Sequence, residues 1–224
     1  MIKKLIQRQR SGARKKREKI FIEKLSPKET DRILDLGCGD GSYLANIVKF
    51  RKNVFISDIS PANLERGKEK YGFLNTVLLN EDAPLPFADK YFDIVFCNSV
   101  IEHVTVKKDD IFSIKSDSEF AKISIENQKK FADEIRRISK RYFVQTPYKY
   151  FPIESHTQLP FFIVFLPRKI QISAIKFFNL WWIKKTSPDW NLFTIKQMET
   201  LFPDAEIIFE KKFGLIKSLI AVKK

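Results

Sequence analysis

The chain has 224 residues, 44% of them apolar, enough to bury the core of one compact domain with embellishments. Its net charge of +14 is concentrated at the start, where Lys3, Lys4, Arg8, Arg10, Arg14, Lys15, Lys16, Arg17 and Lys19 meet a single acid, Glu18. Such a run is either a solvated basic helix or a surface for an anionic partner, nucleic acid or acidic lipid. The two cysteines, Cys38 and Cys97, form no spaced framework, so no disulfide scaffold and no metal site are expected. No basic start runs into a long apolar stretch, and the most apolar region, 159–183, is broken by Pro160, Pro167, Arg168, Lys169 and Lys176. Neither a cleavable signal nor a spanning helix is expected, and the location anticipated is cytoplasmic, with peripheral contact at the inner face of the membrane as an option.

Residues 1–24 are expected as a basic N-terminal helix or extension, and 25–224 as the main domain. Residues 32–36 read as a short buried strand running into a glycine-rich turn, and 42–50 have the helical spacing of Leu44, Ile47 and Val48. A second β-branched and aromatic run covers 53–57. Ser60-Pro61 is an N-cap with proline at the first helical position, opening a helix to residue 71. Strands follow at 76–79 and 92–97, then a polar insert at 107–117. The long helix at 119–139 should turn Phe120, Ile123, Phe131, Ile135 and Ile138 toward a sheet. A fifth strand at 142–145 is expected to stop at Pro147. An insertion at about 148–190 interrupts the alternation, which resumes with a helix at 194–201 and strands at 206–213 and 216–222 joined by little more than Gly214. Strands alternating with helices imply an α/β fold: a doubly wound, mostly parallel seven-stranded sheet, Rossmann-like, ending in an antiparallel hairpin.

The chain has seven glycines, yet Gly37, Gly39 and Gly41 cluster at the end of the first strand. Glycine permits positive φ and close approach of backbone to ligand, at the crevice where open α/β sheets bind. The dinucleotide fingerprint would want glycine or alanine at position 42, where Ser42 stands.

The run Ile33-Leu34-Asp35-Leu36-Gly37-Cys38-Gly39-Asp40-Gly41 resembles the first motif of class I S-adenosyl-L-methionine (SAM)-dependent methyltransferases, and three further matches follow in order. Asp58, followed by Ile59, is similar to the acid that the family uses for the ribose hydroxyls. Asp82 and Ala83 resemble its adenine loop. The stretch from Phe92 to Val104 resembles the fourth-strand motif of the small-molecule, type 11-like branch, in which the backbone near Asn98 and Ser99 lies against the methionine part of SAM. The resemblance spans roughly residues 31–146. It implies SAM as cofactor, with Asp35, Gly37, Cys38, Gly39, Gly41, Asp58, Ile59, Asp82, Ala83, Asn98 and Ser99 around it.

Methyl transfer needs a base only where the acceptor must lose a proton. The two histidines, His103 and His156, follow the fourth and fifth strands, and a histidine titrates near neutrality. His156, with Glu154 on the same face of an extended segment, and His103 are the catalytic candidates. The chain lacks the Asn/Asp-Pro-Pro-aromatic motif of nucleic-acid amine methylation, since Asn98-Ser99-Val100-Ile101 stands there. A small-molecule, glycan or lipid-linked acceptor is therefore expected, with a hydroxyl as one candidate methylation site, and with an RNA methyltransferase or a non-catalytic SAM-binding module as alternatives. The insertion's aromatics and cations suit either an interfacial segment or a cap with its own small core.

Overall fold

The computed structural model describes residues 2–81, 83–152, 166–181 and 186–224. In chain order the elements are α1 (Ile2–Leu25), β1 (Ile33–Leu36), α2 (Ser42–Ile47), β2 (Val54–Asp58), α3 (Pro61–Tyr71), β3 (Asn75–Leu78) and β4 (Phe92–Asn98). After short 3-10 turns at Ile101–His103 and Lys108–Asp110 come α4 (Asp117–Ile138), β5 (Ser139–Pro147), α5 (Arg168–Trp181), α6 (Ile195–Leu201), β6 (Glu206–Lys212) and β7 (Leu215–Lys223).

The strands form a seven-stranded sheet in the order β3-β2-β1-β4-β5-β7-β6. β1 pairs in parallel with both β2 and β4, and β2 in parallel with β3. The chain thus builds outward from β1 in one direction and then restarts on its other side with β4, which makes the ends of β1 and β4 the switch point where such sheets hold ligands. All four residues of β1 are buried, as a strand covered on both faces requires. The expected α/β class, parallel sheet and terminal hairpin are all present.

Contacts divide the chain into two compact units: residues 1–98, 135–144 and 222–224, and residues 99–134 and 145–221. The core of the first unit is Ile33, Leu34, Leu36, Val54, Ile56, Phe92, Ile94, Phe96 and Phe143, all buried. α1 enters this core at its C-terminal end: Phe21 and Leu25 are buried, and Phe21 meets Phe96 and Phe143 edge-on at centroid distances of 5.2 and 5.7 Å. Arg141 holds the end of α1 by donating to the Leu25 carbonyl at 2.7 Å and pairing with Asp31 at 3.0 Å.

α3 follows its sequence signals: the Ser60 side chain accepts from Asn63 N–H, Pro61 opens the helix, and Gly72 ends it in the left-handed region. α2 is shorter than its spacing suggested and stops at Ile47. The Arg51 guanidinium caps it, donating to the carbonyls of Ala45, Val48 and Phe50 at 2.8, 2.6 and 2.8 Å, so the last turn needs no further helix to satisfy it.

α4 departs from its apolar plan. Phe120, Ile135 and Ile138 are buried, but Ile123 and Phe131 are only half-buried, and Ser124 and Gln128 occupy fully buried positions. The Gln128 side chain serves the second unit: its amide donates to the carbonyls of Ile101 and Asn191 at 3.1 and 3.0 Å and accepts from Asn191 at 2.9 Å. β5 continues through Pro147 instead of stopping before it, and Tyr148 N–H still donates to the Lys217 carbonyl at 3.0 Å. Between β6 and β7 the turn residues Phe213 and Gly214 both have positive φ, 52° and 79°, the geometry of a tight right-twisted hairpin.

The insertion is partly described. Ile175, Trp190 and Leu192 form a small core with Leu166 and Phe178 against it, whereas Phe177 is exposed. Residues 161–165 of the aromatic run lie outside the described residues.

Candidate active site

The turn after β1 is built entirely in the first unit. Gly37, Gly39 and Gly41 have φ of 72°, 57° and 68°, a region costing other L-residues roughly 1–2 kcal/mol each. The turn hangs on the neighbouring strand: the N–H groups of Gly37 and Cys38 both donate to the Ser57 carbonyl, at 2.9 and 3.0 Å. Two of the glycines differ in what surrounds them. A Cβ at Gly41 would lie 2.7 Å from the Phe73 ring and 3.3 Å from Ile56, so this glycine is needed for packing. A Cβ at Gly39 would meet nothing within 4 Å, so its left-handed backbone faces open space.

Asp58 closes the turn from the end of β2. Its Oδ2 accepts from Gly39 N–H at 2.8 Å, and its Oδ1 accepts from Ser60 N–H at 2.9 Å and from the Asn63 amide at 3.1 Å. A carboxylate offers about four lone-pair sites, so three donors leave room for roughly one more. Ile59, beside it, is exposed.

Asp35, inside β1, is buried, and its Oδ2 has no hydrogen-bond partner among the described residues. Burial, reinforced by the carboxylates of Asp58 and Asp40, pushes Asp35 up to about 8. The side chain is accordingly protonated at neutral pH, which is how a buried acid without a partner is tolerated. Burial, with Asp35 and Asp58 adding to it, also pushes the Cys38 thiol up, which removes any thiolate character at neutral pH.

At the end of β4, Asn98 is half-buried and its amide oxygen accepts from the Arg17 guanidinium at 3.2 Å. Sequence reasoning missed Arg17, although the spacing Arg17, Phe21, Leu25 marks one helix face and carried the signal. Ala83 is exposed, with its N–H donating to the Asn80 carbonyl at 3.3 Å; Asp82 lies outside the described residues.

The second unit holds its own polar cluster. Ser99 has a positive φ of 58°, and both its N–H and its hydroxyl donate to Gln145, at 2.9 Å each. His103 lies at the end of a 3-10 turn with its Nδ1 3.2 Å from Oδ2 of Asp189. Burial alone would raise Asp189, but the hydrogen-bonding and charge of His103 outweigh it and hold the carboxyl below its usual range. Nearby, buried Glu102 accepts from Thr146 at 3.1 Å, and Asp189 accepts on its carbonyl from Thr105 at 2.9 Å. Asp189 was not among the expected site residues; it lies far along the chain from His103, and no local pattern marks the pair. His156 and Glu154, the other catalytic candidates, lie outside the described residues. No cluster of metal-ligating side chains occurs among the described residues.

Residues 34–142 match the family model described as a methyltransferase domain. Over 89 residues the chain is 35% identical to the ubiquinone/menaquinone biosynthesis C-methyltransferase of Zymomonas mobilis, covering 38% of this chain and 37% of that protein. Over another 89-residue match it is 35% identical to an uncharacterized protein of Methanocaldococcus jannaschii, covering 40% of this chain and 37% of that one. The chain thus spans about 37% of the length of these curated relatives. Among solved structures, magnesium protoporphyrin IX methyltransferase from Synechocystis PCC 6803, crystallised with SAH, aligns over 100% of this chain and 88% of that one, with a TM-score of 0.54 and 13% identity. At that identity the likeness is one of fold. Residues 34–142 are thus similar to a methyltransferase domain, and the same stretch carries the glycine turn and the parallel pairings of β1 with β2 and β4 described above.

Proposed function

We propose that the protein binds SAM at the glycine turn and transfers its methyl group to a hydroxyl of a small-molecule, glycan or lipid-linked acceptor. The observation that carries the reading is the left-handed Gly39 backbone facing open space while its N–H is held by Asp58. The residues present fit the cofactor: a carboxylate with room for a hydroxyl donor at Asp58, and at Asp35 a buried acid whose unpartnered oxygen lies in the strand leading to the turn. When bound, SAM supplies a methyl group already activated on a sulfonium, so alignment of the acceptor provides much of the rate.

In this reading Asp58 and Ile59 hold the ribose, Asp82 and Ala83 the adenine, and Asn98 and Ser99 the methionine part. Asp35 and Cys38 complete the cradle as neutral groups. His103, its Nδ1 3.2 Å from Oδ2 of Asp189, is the base for a hydroxyl acceptor among the described residues; His156 with Glu154 is the alternative. The quinone pathway named in the Zymomonas relative favours a small-molecule acceptor over RNA.

The test is calorimetric titration of SAM and SAH into wild type and Asp58→Ala. Wild type is expected to bind, and the variant to bind about ten- to a hundredfold more weakly, the range for losing a charge-assisted hydrogen bond. Folded wild-type protein that binds neither ligand sinks the reading.

A second, narrower reading concerns where the acceptor is met. α5 exposes Ile170, Phe177 and Leu180 along one face, beside exposed Lys169 and Lys176. Apolar side chains flanked by lysines suit the surface of an acidic membrane, each cation adding on the order of 1 kcal/mol. No helix among the described residues is long and apolar enough to cross a membrane. Flotation with phosphatidylserine vesicles should carry the protein upward; failure to float with acidic and neutral vesicles alike removes the surface reading.

A further inference from the structure

We propose that Arg17, on α1, binds the carboxylate at the methionine end of the cofactor, making the basic N-terminal helix one wall of the cofactor site. The proposal rests on the SAM reading above. Arg17 lies outside residues 34–142, so the family match assigns it nothing.

The basic residues of α1 are not equivalent. Arg14, Lys15, Lys16 and Lys19 are exposed, whereas Arg17 retains 9% of its surface. Arg17, Phe21 and Leu25 follow one another at helical spacing on one face, and Phe21 and Leu25 are buried in the first unit's core. A leucine or methionine would fill the Arg17 position without desolvating a charge, so a guanidinium there needs a reason beyond packing.

Its location supplies one. The guanidinium donates to Asn98 Oδ1 at 3.2 Å, at the end of β4. The register pairs Asp35 with Phe96, and Asn98 ends β4 two residues further on, on the side of the sheet where β1 runs into the glycine turn. α1 is also pinned beside this turn: the Arg14 guanidinium lies 5.3 Å from the centroid of the Tyr43 ring on α2, and Tyr43 packs edge-on against Phe96 at 5.5 Å. The crevice is therefore split by charge. Asp40 and Asp58 stand on its β1 and β2 side and Arg17 at the end of β4, while Asp35, neutral, adds no charge. A purely anionic ligand would be repelled by the acids, and a purely cationic one by Arg17. A ligand with hydroxyls at one part, for Asp58, and a carboxylate at the other, for Arg17, matches both sides. SAM has that distribution, and the planar guanidinium fork suits a carboxylate.

The experiment measures binding, not turnover. Wild type and Arg17→Met, the variant checked for folding by circular dichroism, are titrated with SAH and with 5′-methylthioadenosine, which keeps the adenosine and thioether but lacks the amino and carboxylate groups. Arg17→Met should weaken SAH binding about ten- to a hundredfold while leaving 5′-methylthioadenosine within about twofold of wild type. Equal weakening of both ligands makes Arg17 a packing residue, and no change in either removes it from the site; both outcomes overturn the proposal. If Arg17→Met does not fold, wild type is titrated with SAH and its decarboxylated analogue, and equal affinities overturn the proposal while a tenfold or greater loss, on the scale of one charge-assisted contact, supports it. Wild type that binds none of these compounds defeats the SAM reading and this proposal with it, whereas binding SAH and 5′-methylthioadenosine equally defeats the Arg17 assignment alone.

Discussion

The glycine turn of the first unit and the polar cluster of the second are assembled on different plans. The turn draws its left-handed glycines from one short run and its closing carboxylate, Asp58, from the next strand, with Gly39 and Asp58 only 19 residues apart. The cluster joins residues far apart in the chain: Thr105 to Asp189 across 84 residues, Gln128 to Asn191 across 63, and Arg168 to Ile111 across 57. A contiguous site is specified by backbone conformation, so its residue types are constrained one by one. A dispersed site is specified by mutual satisfaction of buried polar groups, and any single residue looks ordinary until its partners arrive.

Substitutions should expose that difference. The largest effect is expected at Arg168, buried in the second unit, which donates to the carbonyls of Ile114, Pro188 and Ile111 at 2.7, 3.0 and 2.6 Å and lies over the Phe120 ring at 3.4 Å. Burial draws this guanidinium down to about 10, still charged at neutral pH. Arg168→Met should cost about 3–5 kcal/mol in urea denaturation, because several buried carbonyls lose their donor together. A cost under about 1 kcal/mol would mean that these carbonyls find other donors or water, and that dispersed networks here are not cooperative.

In the glycine turn the cost should instead track local geometry. Gly41→Ala combines a left-handed φ with a Cβ 2.7 Å from Phe73, for about 2–4 kcal/mol. Gly39→Ala has the same backbone strain but open space, and should cost only about 1–2 kcal/mol in stability. Thermal unfolding of the two variants side by side tests the contrast; equal losses would show that the surroundings of the turn, and not its φ values alone, have been misjudged.

Asp35 gives the comparison a pH axis. Its folded pKa of about 8 stands above the ordinary value of 3.8, so the folded protein holds a proton that the unfolded chain has released between those pH values. Its contribution is fully present below pH 3.8 and is lost as pH rises through 8. Between pH 6 and 7, wild type should therefore lose about 1.4 kcal/mol relative to Asp35→Asn, measured by urea unfolding at each pH. Parallel stability curves for the two proteins would contradict a raised Asp35.

The smallest effect is expected at a local element of the second unit. Phe213 has a φ of 52° in the β6–β7 turn and is exposed. Asparagine tolerates that region and precedes glycine in tight hairpins, so Phe213→Asn should stabilise by up to about 1 kcal/mol in the same assay. A loss would mean that the exposed ring has a contact that the turn geometry does not reveal.

Legibility followed the same division. Ser60-Pro61, Gly72 and Thr194 act within one turn of themselves, and the helices that they bound were readable: Thr194 accepts from Gln197 N–H in a capping box with Gln197 returning to Thr194. α2 was overextended because its stop, Arg51, acts from outside the helix, on carbonyls its own spacing does not reveal. The inward face of α4 was misjudged at Ser124 and Gln128, since two polar residues on a core face cannot be explained until the carbonyls of Ile101 and Asn191 are brought to them. At the candidate site, the glycine run and Asp58 stood out as a motif, while Arg17 was hidden among exposed cations and Asp189 had no motif at all.

The sequence by itself determined the parallel α/β order, the glycine turn and the acid at the end of β2, because strand periodicity and left-handed backbone are properties of a few consecutive residues. Only the tertiary structure decided which cation of α1 turns inward to Asn98, that Asp35 is neutral, and that His103 acquires Asp189. Those outcomes depend on burial and on charges brought together from distant parts of the chain, quantities that have no value until the fold exists.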